Sequence, residues 1–460
     1  SAASDVYKRQ TYRCARQRSS ESGIGAFLIK RDGKNNTIRG GVQMNSIIEY
    51  ENGLKAVIAY IPGVRSVAAG FWVGVGSNAE NKENNGISHF TEHMMFKGTD
   101  KLSPFDIANK FESYGANVNA FTSKECTCYY FKSVDEYAEN CFSLLGDIMF
   151  DSVFPAVELD KERKVIVEEI NMVEDSPEDI CYDEIAYATY GDSGLGKTIL
   201  GPSENVLRFT GDDVKDFMAR YYSPQNTVIA FSGNITEKAA DKLIRKYILS
   251  RYKKDYAQTL PVKNRFNSRN YSEKIKNFEQ SNIALSFPSL PFGDKDFTVQ
   301  AALNVIVGGG MSSRLFQSVR EQQGLAYSVY SVPNGYSDIG TLNVFLNISE
   351  CNTERALTAV KKEIDLIKDK GITDEELERT KVQLKSALVF AEENVQTVMS
   401  SCGKLLLLKG ELYDVDRKIA EIDAVTKEKA NAFAREVFNY DKMNAAYVGK
   451  KTSVDILKIF

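Results

Sequence analysis

The sequence passes twice through the same order of predicted elements, and this internal duplication restricts the possible fold more than any other feature. The first copy starts with the strand RSVAAGFWVGVGS and the second with the strand NIALSFPSLPF. Each copy contains a long helix, VELDKERKVIVEEINMVE or TDEELERTKVQLKSALVFAEE, and each closes with a helix, a turn and a short strand. Because strands and helices alternate throughout, we predict a duplicated α/β (α+β) unit of roughly 190–200 residues per copy.

Four segments are predicted from this duplication. Residues 44–252 form the first half and residues 271–460 the second, joined by a polar and basic linker at 253–270. Residues 1–43 are interpreted as a disordered or non-native leader, because they are rich in Arg and Ser and show no helical or strand periodicity. A transit peptide has a similar composition, so a targeting signal stays open as the alternative.

Charge and hydropathy argue against two kinds of partner. The formal net charge is −4, and residues 1–43 contribute +6, which leaves −10 for residues 44–460. An acidic body argues against nucleic-acid binding and fits the attraction of basic peptide segments, although a well-solvated surface explains it equally well. No run of 18 or more apolar residues is present, so we predict no membrane span.

The seven cysteines are widely scattered along the chain. Their odd number and spacing favour free or buried thiols over disulfides, which is typical of a reducing compartment. Cys126 and Cys128 lack a second pair at zinc-site spacing, so we interpret them as thiols rather than metal ligands. This pattern predicts a cytoplasmic location of the bacterial type, with the mitochondrial matrix as the alternative.

The chain contains only two histidines, His89 and His93, in the string GISHFTEHMMFKGT. A spacing of four on a helix places both imidazoles on one face, and Glu92 shares that face. Two histidines placed at random in a chain of this length fall four apart in roughly 0.4% of cases, so the spacing is specific. Because zinc chemistry at two imidazoles needs a nearby carboxylate as proton acceptor, the string predicts a catalytic zinc site. Two surface histidines on a helix are the alternative.

A third ligand is expected from the helix predicted over residues 157–174. This helix offers five glutamates: Glu158, Glu162, Glu168, Glu169 and Glu174. At about 100° per residue, Glu162 and Glu169 point into the middle of the apolar face, where a carboxylate needs a partner. Glu168 and Glu174 lie on the flanks, and Glu158 favours the helix dipole without any metal. We therefore predict Glu169 as the ligand and Glu162 as the group that orients a histidine or the water, with a buried salt bridge as the alternative.

Four strings carry a resemblance to a known family: GISHFTEHMMFKGT, NVNAFTSKECTCYY, ERKVIVEEI and GGGMSSRLFQSVREQQGLAYS. Over residues 44–460 the chain resembles the pitrilysin/insulinase superfamily of inverted-motif zinc peptidases, and within it bacterial processing-peptidase-like proteins and the mitochondrial processing peptidase β subunit. The resemblance implies one zinc per chain, held by His89, His93 and Glu169, with Glu92 as general base and Glu162 as auxiliary acid. It also implies two halves of mixed, largely antiparallel sheet covered by helices, which form a clamshell around a chamber.

The same resemblance extends to two further groups of residues. The strand at Asn119, Ala120 and Phe121 is similar to the family's edge strand, along which substrate lies as an added β-strand. An ordinary half-buried strand explains these residues equally well. Arg320 and Tyr327 match a pair that the family uses from its second half to hold the substrate carbonyl and the developing oxyanion.

These expectations combine into one predicted function. The chain is expected to be a zinc-dependent endopeptidase that cleaves unfolded or short polypeptides, and the resemblance implies a homodimer. No nucleic acid or membrane is expected as a partner. The alternatives are a non-catalytic structural subunit of the same fold and a zinc-binding scaffold with four closed ligands.

Overall fold

The computed structural model describes residues 44–252 and 262–460. The predicted leader at 1–43 and the first part of the predicted linker, residues 253–261, lie outside the described residues. Residues 262–270 contain neither helix nor strand. The described chain contains two sheets surrounded by helices, which confirms the predicted α/β (α+β) class. The boundaries of the two predicted halves stay a prediction.

The first sheet has six strands from the first half of the sequence. They are β1 (Met44–Glu49), β2 (Lys55–Tyr60), β3 (Ser66–Val73), β4 (Asn117–Thr122), β5 (Thr127–Val134) and β6 (Thr227–Gly233). Their spatial order is β1-β2-β6-β3-β5-β4, and all neighbours are antiparallel except β2 and β6. Strands β3 and β6 are apolar and buried along nearly their whole length, because the centre of this sheet is covered on both faces.

The helices of the same stretch surround this sheet. They are α1 (Ile87–Met94), α2 (Pro104–Ser113), α3 (Ala138–Asp151), α4 (Ala156–Glu174), α5 (Pro177–Tyr190), α6 (Ser203–Arg208), α7 (Gly211–Tyr221) and α8 (Glu237–Tyr247). The larger apolar core lies between the sheet and helices α1, α3, α7 and α8.

The second sheet has five strands from the second half of the sequence. They are β7 (Tyr271–Ile275), β8 (Ser281–Ser289), β9 (Ala326–Gly335), β10 (Gly340–Ile348) and β11 (Asn444–Gly449). Their order is β7-β11-β8-β10-β9, and only β7 and β11 run parallel. The helices are α9 (Phe297–Val307), α10 (Thr353–Lys370), α11 (Asp374–Glu392), α12 (Val395–Lys409), α13 (Val415–Asp423), α14 (Lys427–Val437) and α15 (Ile456–Ile459). Among all the helices of the described ranges, none has the length and apolar character needed to cross a bilayer.

The closing units of the two halves begin alike, as the duplication predicts. Helix α7 starts at Thr210, whose hydroxyl accepts the backbone N–H of Asp213, and helix α14 starts at Thr426, whose hydroxyl accepts the N–H of Lys429. Each threonine thus satisfies one of the free N–H groups of a first helical turn. Each helix then leads to a fully buried strand, β6 or β11.

The two halves exchange one helix each, so neither sheet is covered by its own half alone. Helix α5, from the first half, packs on β7, β8 and β11 of the second sheet. Helix α12, from the second half, packs on β2, β3 and β6 of the first sheet. At this second contact the Trp72 indole N–H donates to the Met399 sulfur at 3.3 Å. The exchange joins the halves through apolar cores.

The contact of α12 with the first sheet yields a stability prediction at Gly403. A Cβ added there would lie 2.4 Å from the Trp72 Nε1 atom, so Gly403→Ala overpacks the contact. We expect the free energy of unfolding to fall by ~1–3 kcal/mol, whereas a free helix site would gain ~1 kcal/mol from the same change. Calorimetric melting temperatures measure the sign. Gly310→Ala, whose added Cβ meets nothing within 4 Å, is the control, and a Gly403→Ala variant as stable as the parent would contradict this packing.

Candidate metal centre

Helix α1 carries both histidines and lies inside the protein. All eight of its residues are buried, including His89, Glu92 and His93. The helix contacts α4, α7 and β4, so it is enclosed on several sides. The two imidazole rings stand one turn apart, with their centroids separated by 4.6 Å. The alternative of two surface histidines is therefore wrong.

Helix α4 brings a carboxylate to these two rings. The Oε2 atom of Glu169 lies 3.7 Å from Nε2 of His89 and 3.5 Å from Nε2 of His93. These distances are long for hydrogen bonds, but they approach the ligand-to-ligand edge of about 3.4 Å expected around tetrahedral zinc with bonds near 2.1 Å. Two imidazoles and one carboxylate are also a ligand set of catalytic zinc sites, with one position left open. The three residues fit a zinc ion on both spacing and chemistry.

Glu162 lies about two helical turns before Glu169 on the same face of α4. It contacts the Nδ1 side of the His93 ring. Its Oε2 atom lies 3.0 Å from the His93 Nδ1 atom, and its Oε1 atom lies 2.7 Å from the Lys97 ammonium. Burial opposes ionisation of Glu162, but the hydrogen bonds from His93 and Lys97 outweigh it and lower its pKa below the usual value. Because an ionised carboxylate only accepts, Nδ1 of His93 carries the hydrogen in this contact. A neutral ring would then have the lone pair of Nε2 for a metal. The salt bridge considered as an alternative is thus present, to Lys97, together with the histidine contact.

Glu92 lies on α1 beside the ligand cluster and is 6% exposed. Its Oε2 atom accepts a hydrogen bond of 2.7 Å from the Thr122 hydroxyl, at the end of β4. The hydrogen bond fixes the orientation of the buried carboxylate. Because the donor is a neutral hydroxyl, this contact does not neutralise the negative charge. This geometry suits a group that accepts a proton.

Strand β4 forms the edge of the first sheet, next to β5. Ala120 is buried, and the Phe121 ring packs edge-on against Trp72 with centroids 5.5 Å apart. The Asn119 side-chain oxygen accepts the N–H of Ala120 at 2.9 Å. Phe121 therefore has a packing role, while the position of β4 at the sheet edge leaves a substrate role for its backbone as a prediction.

The structure places Arg320 and Tyr327 in the second half, around the edge strand β9. Arg320 lies in a π-helical segment, Phe316–Gln322, with its guanidinium 4.7 Å from the Phe316 ring centroid and 3.8 Å from a Glu321 oxygen. Tyr327 lies on β9 and is 72% exposed. The ligand cluster itself comes entirely from α1 and α4, so the roles of these two residues stay a prediction.

Two contacts of the site did not emerge from sequence patterns. Thr122 meets Glu92 across 30 positions, and Lys97 reaches Glu162 across 65. A weak signal existed for Lys97, which follows His93 by four residues and would continue the same helical face. Thr122 had no such signal, because its contact depends on how β4 packs against α1.

Comparison with known proteins shows which family the chain resembles. Residues 55–203 match the family described as insulinase (peptidase family M16), and residues 208–384 match the peptidase M16 inactive domain. The uncharacterized zinc protease YmxG of Bacillus subtilis is 42% identical over 85% of this chain and 95% of its own length. An uncharacterized zinc protease of Streptomyces coelicolor is 35% identical over 84% of this chain and 85% of its own.

Solved structures show the same fold. A peptidase M16 inactive domain from Pseudomonas fluorescens superposes with a TM-score of 0.83 at 20% identity, covering 90% of this chain and 99% of its own. A protease from Helicobacter pylori has a TM-score of 0.82 at 20% identity, covering 88% and 99%. The chain belongs to the insulinase family, peptidase family M16.

The geometry of the cluster predicts the result of removing its carboxylate. Glu169→Gln should lower zinc affinity by more than ~100-fold, because even the loss of a residue behind a ligand costs about 10–100-fold. Metal analysis after dialysis and competition with a chromogenic chelator measure this. Glu168→Gln makes the same change on the exposed side of α4 and should bind zinc like the parent. Equal zinc affinity of the Glu169 and Glu168 variants would remove Glu169 from the ligand set.

Proposed function

We propose that this protein is a zinc-dependent endopeptidase, with one zinc per chain, that cleaves unfolded or short polypeptides. The observation that carries this proposal is the approach of Glu169 to both Nε2 atoms beside the buried Glu92. Membership of peptidase family M16 and the names of the bacterial relatives support the same activity.

The metal and the protein have separate tasks in this proposal. Zinc held by His89, His93 and Glu169 would supply Lewis-acid chemistry, polarising the scissile carbonyl and lowering the pKa of water towards ~7. Glu92 accepts the proton of the attacking water and later delivers it to the leaving amine. The Thr122 hydroxyl donates to one oxygen of Glu92, and the other oxygen would accept the proton of the water.

The substrate is proposed to bind as an extended strand along β4, past Asn119, Ala120 and Phe121. Such binding takes its affinity from backbone hydrogen bonds and tolerates many side chains, but it requires a chain that is not folded. Arg320 and Tyr327 would approach from the second half and donate hydrogen bonds to the carbonyl oxygen, where negative charge develops. We further propose a homodimer, which light scattering tests, and a cytoplasmic location, which the free cysteines support.

Glu92→Gln tests the assigned base. We expect zinc binding to stay intact and cleavage of a quenched peptide library to fall by about 10²–10⁴-fold, because the amide cannot accept the proton. Mass spectrometry of the digests, with and without o-phenanthroline, identifies the metal-dependent cuts. Glu112→Gln, an exposed change on α2, should retain parental turnover.

Two outcomes of this experiment would change the proposal. A zinc-loaded Glu92→Gln variant with full activity would refute Glu92 as the base. A zinc-loaded parent that cleaves no unstructured peptide would favour the alternative, a non-catalytic subunit of the same fold.

Tyr327→Phe tests the contribution of the second half. If the hydroxyl donates to the developing oxyanion, kcat should fall by about 10²–10³-fold with little change in zinc content. Tyr271→Phe removes a hydroxyl at the opposite edge of the same sheet and serves as the control. Unchanged kcat in Tyr327→Phe would show that this side chain takes no part in the reaction.

A further inference from the structure

Glu80 precedes the metal-binding helix and is nearly enclosed, with 5% of its surface exposed. Its Oε2 atom accepts hydrogen bonds from the Asn85 side-chain amide and from the Gly86 N–H, both at 2.8 Å. Its Oε1 atom accepts the Ser88 N–H, also at 2.8 Å. One carboxylate thus binds the segment that leads into α1 and the first turn of α1, next to His89.

The residue at the N-cap of helix α1 has no side chain that could cap the helix. This residue is Gly86, with φ of 101° and no side-chain cap hydrogen bond. A side chain is excluded there, because a Cβ would lie 2.6 Å from the Leu200 carbonyl oxygen. The free N–H groups of a first helical turn need acceptors, and a negative charge there is favoured by the helix dipole. Glu80, which lies outside the helix, supplies the acceptor oxygens and the negative charge.

The segment that carries Glu80 is itself bound to the turn between β4 and β5. The Ser77 N–H donates to the Ser123 carbonyl at 3.2 Å, and the Asn78 N–H donates to the Lys124 carbonyl at 2.7 Å. This turn directly follows Thr122, the residue that holds Glu92. The position of the start of α1 and the position of Thr122 therefore depend on the same backbone contacts.

A half-buried cation on this turn interacts with the charge of Glu80. Lys124 is half-buried, and its ammonium donates to the Lys197 carbonyl oxygen. Burial lowers the pKa of Lys124, while the carboxylates of Asp183 and Glu80 act in the opposite direction. Asp183 lies on α5, the helix that packs against the second sheet. An enclosed carboxylate such as Glu80 is tolerated when it has hydrogen bonds and a nearby positive charge.

We propose that Glu80 is a positioning residue of the metal centre, which holds the first turn of α1 against the β4–β5 turn. Through this contact it sets the direction of His89 relative to Glu169 and keeps Glu92 within reach of Thr122. The part that concerns metal geometry stands without the proposed activity, whereas the part that concerns Glu92 rests on it.

The experiment compares Glu80→Gln with Glu83→Gln, an exposed change three positions further along the same loop. Glu80→Gln retains the shape of the side chain but removes the charge and replaces one acceptor by a donor. We expect its zinc affinity, from chelator competition, to fall about 10–100-fold. With Co²⁺ as the probe at saturation, the d–d absorption should change in position or intensity, since the ligand geometry differs. Glu83→Gln should match the parent in both measurements.

Three further results decide the interpretation. A lower melting temperature in Glu80→Gln with parental zinc affinity and parental cobalt spectrum would overturn the proposal, because Glu80 would then only stabilise the fold. Glu80→Asp, which keeps the charge, should restore part of the affinity and gives the same two measurements if Glu80→Gln does not fold. A parent that binds zinc but cleaves no peptide would refute the proposed activity, while the cobalt spectra would still decide the role of Glu80.

Discussion

The approach of Glu169 on α4 to two imidazoles on α1 is the interaction around which the rest of this centre is organised. Ionisable groups in such an enclosed place are tolerated only when each has a partner. Glu162 forms a hydrogen bond with His93 and a salt bridge with Lys97. Glu92 accepts a hydrogen bond from Thr122. This set of contacts fixes α1 and α4 against each other and keeps the three ligand atoms close together.

The second half of the chain supports this centre without contributing to the ligand cluster. Helix α12 covers the first sheet, where Met399 accepts the Trp72 N–H. Trp72 in turn packs against Phe121 on β4, the strand that ends at Thr122. A continuous line of packed side chains therefore leads from the exchanged helix to the partner of Glu92. The two halves therefore share the same order of elements, but only the first half contributes ligand residues to the cluster.

Local periodicity accounts for the parts of the site that were foreseen. The spacing of His89 and His93 determines that both rings share a face, and the apolar stripe of α4 determines that Glu162 and Glu169 point inwards. The structure brings these four side chains together. Thr122 and Glu80 were not foreseen, because their contacts join segments that no helical or strand period relates. Their function in the reaction stays a prediction, as do the functions of Arg320 and Tyr327.

The sequence alone determined the order of elements, the metal-binding spacing and the capping of the closing helices, since each depends on residues within one or two turns of one another. It also determined the duplication, which is a repeat of that local order. Only the tertiary structure decided that α5 and α12 exchange partners and that Glu80 caps α1 from outside. It also decided that Glu162 contacts both His93 and Lys97. The exchanged helices and the contacts of Glu162 depend on which surfaces pack together across long separations, and many pairings of amphipathic helices with two similar sheets satisfy the same local patterns. The contacts of Glu80 span only five to eight residues, but they depend on the path of a loop that no helical or strand period determines.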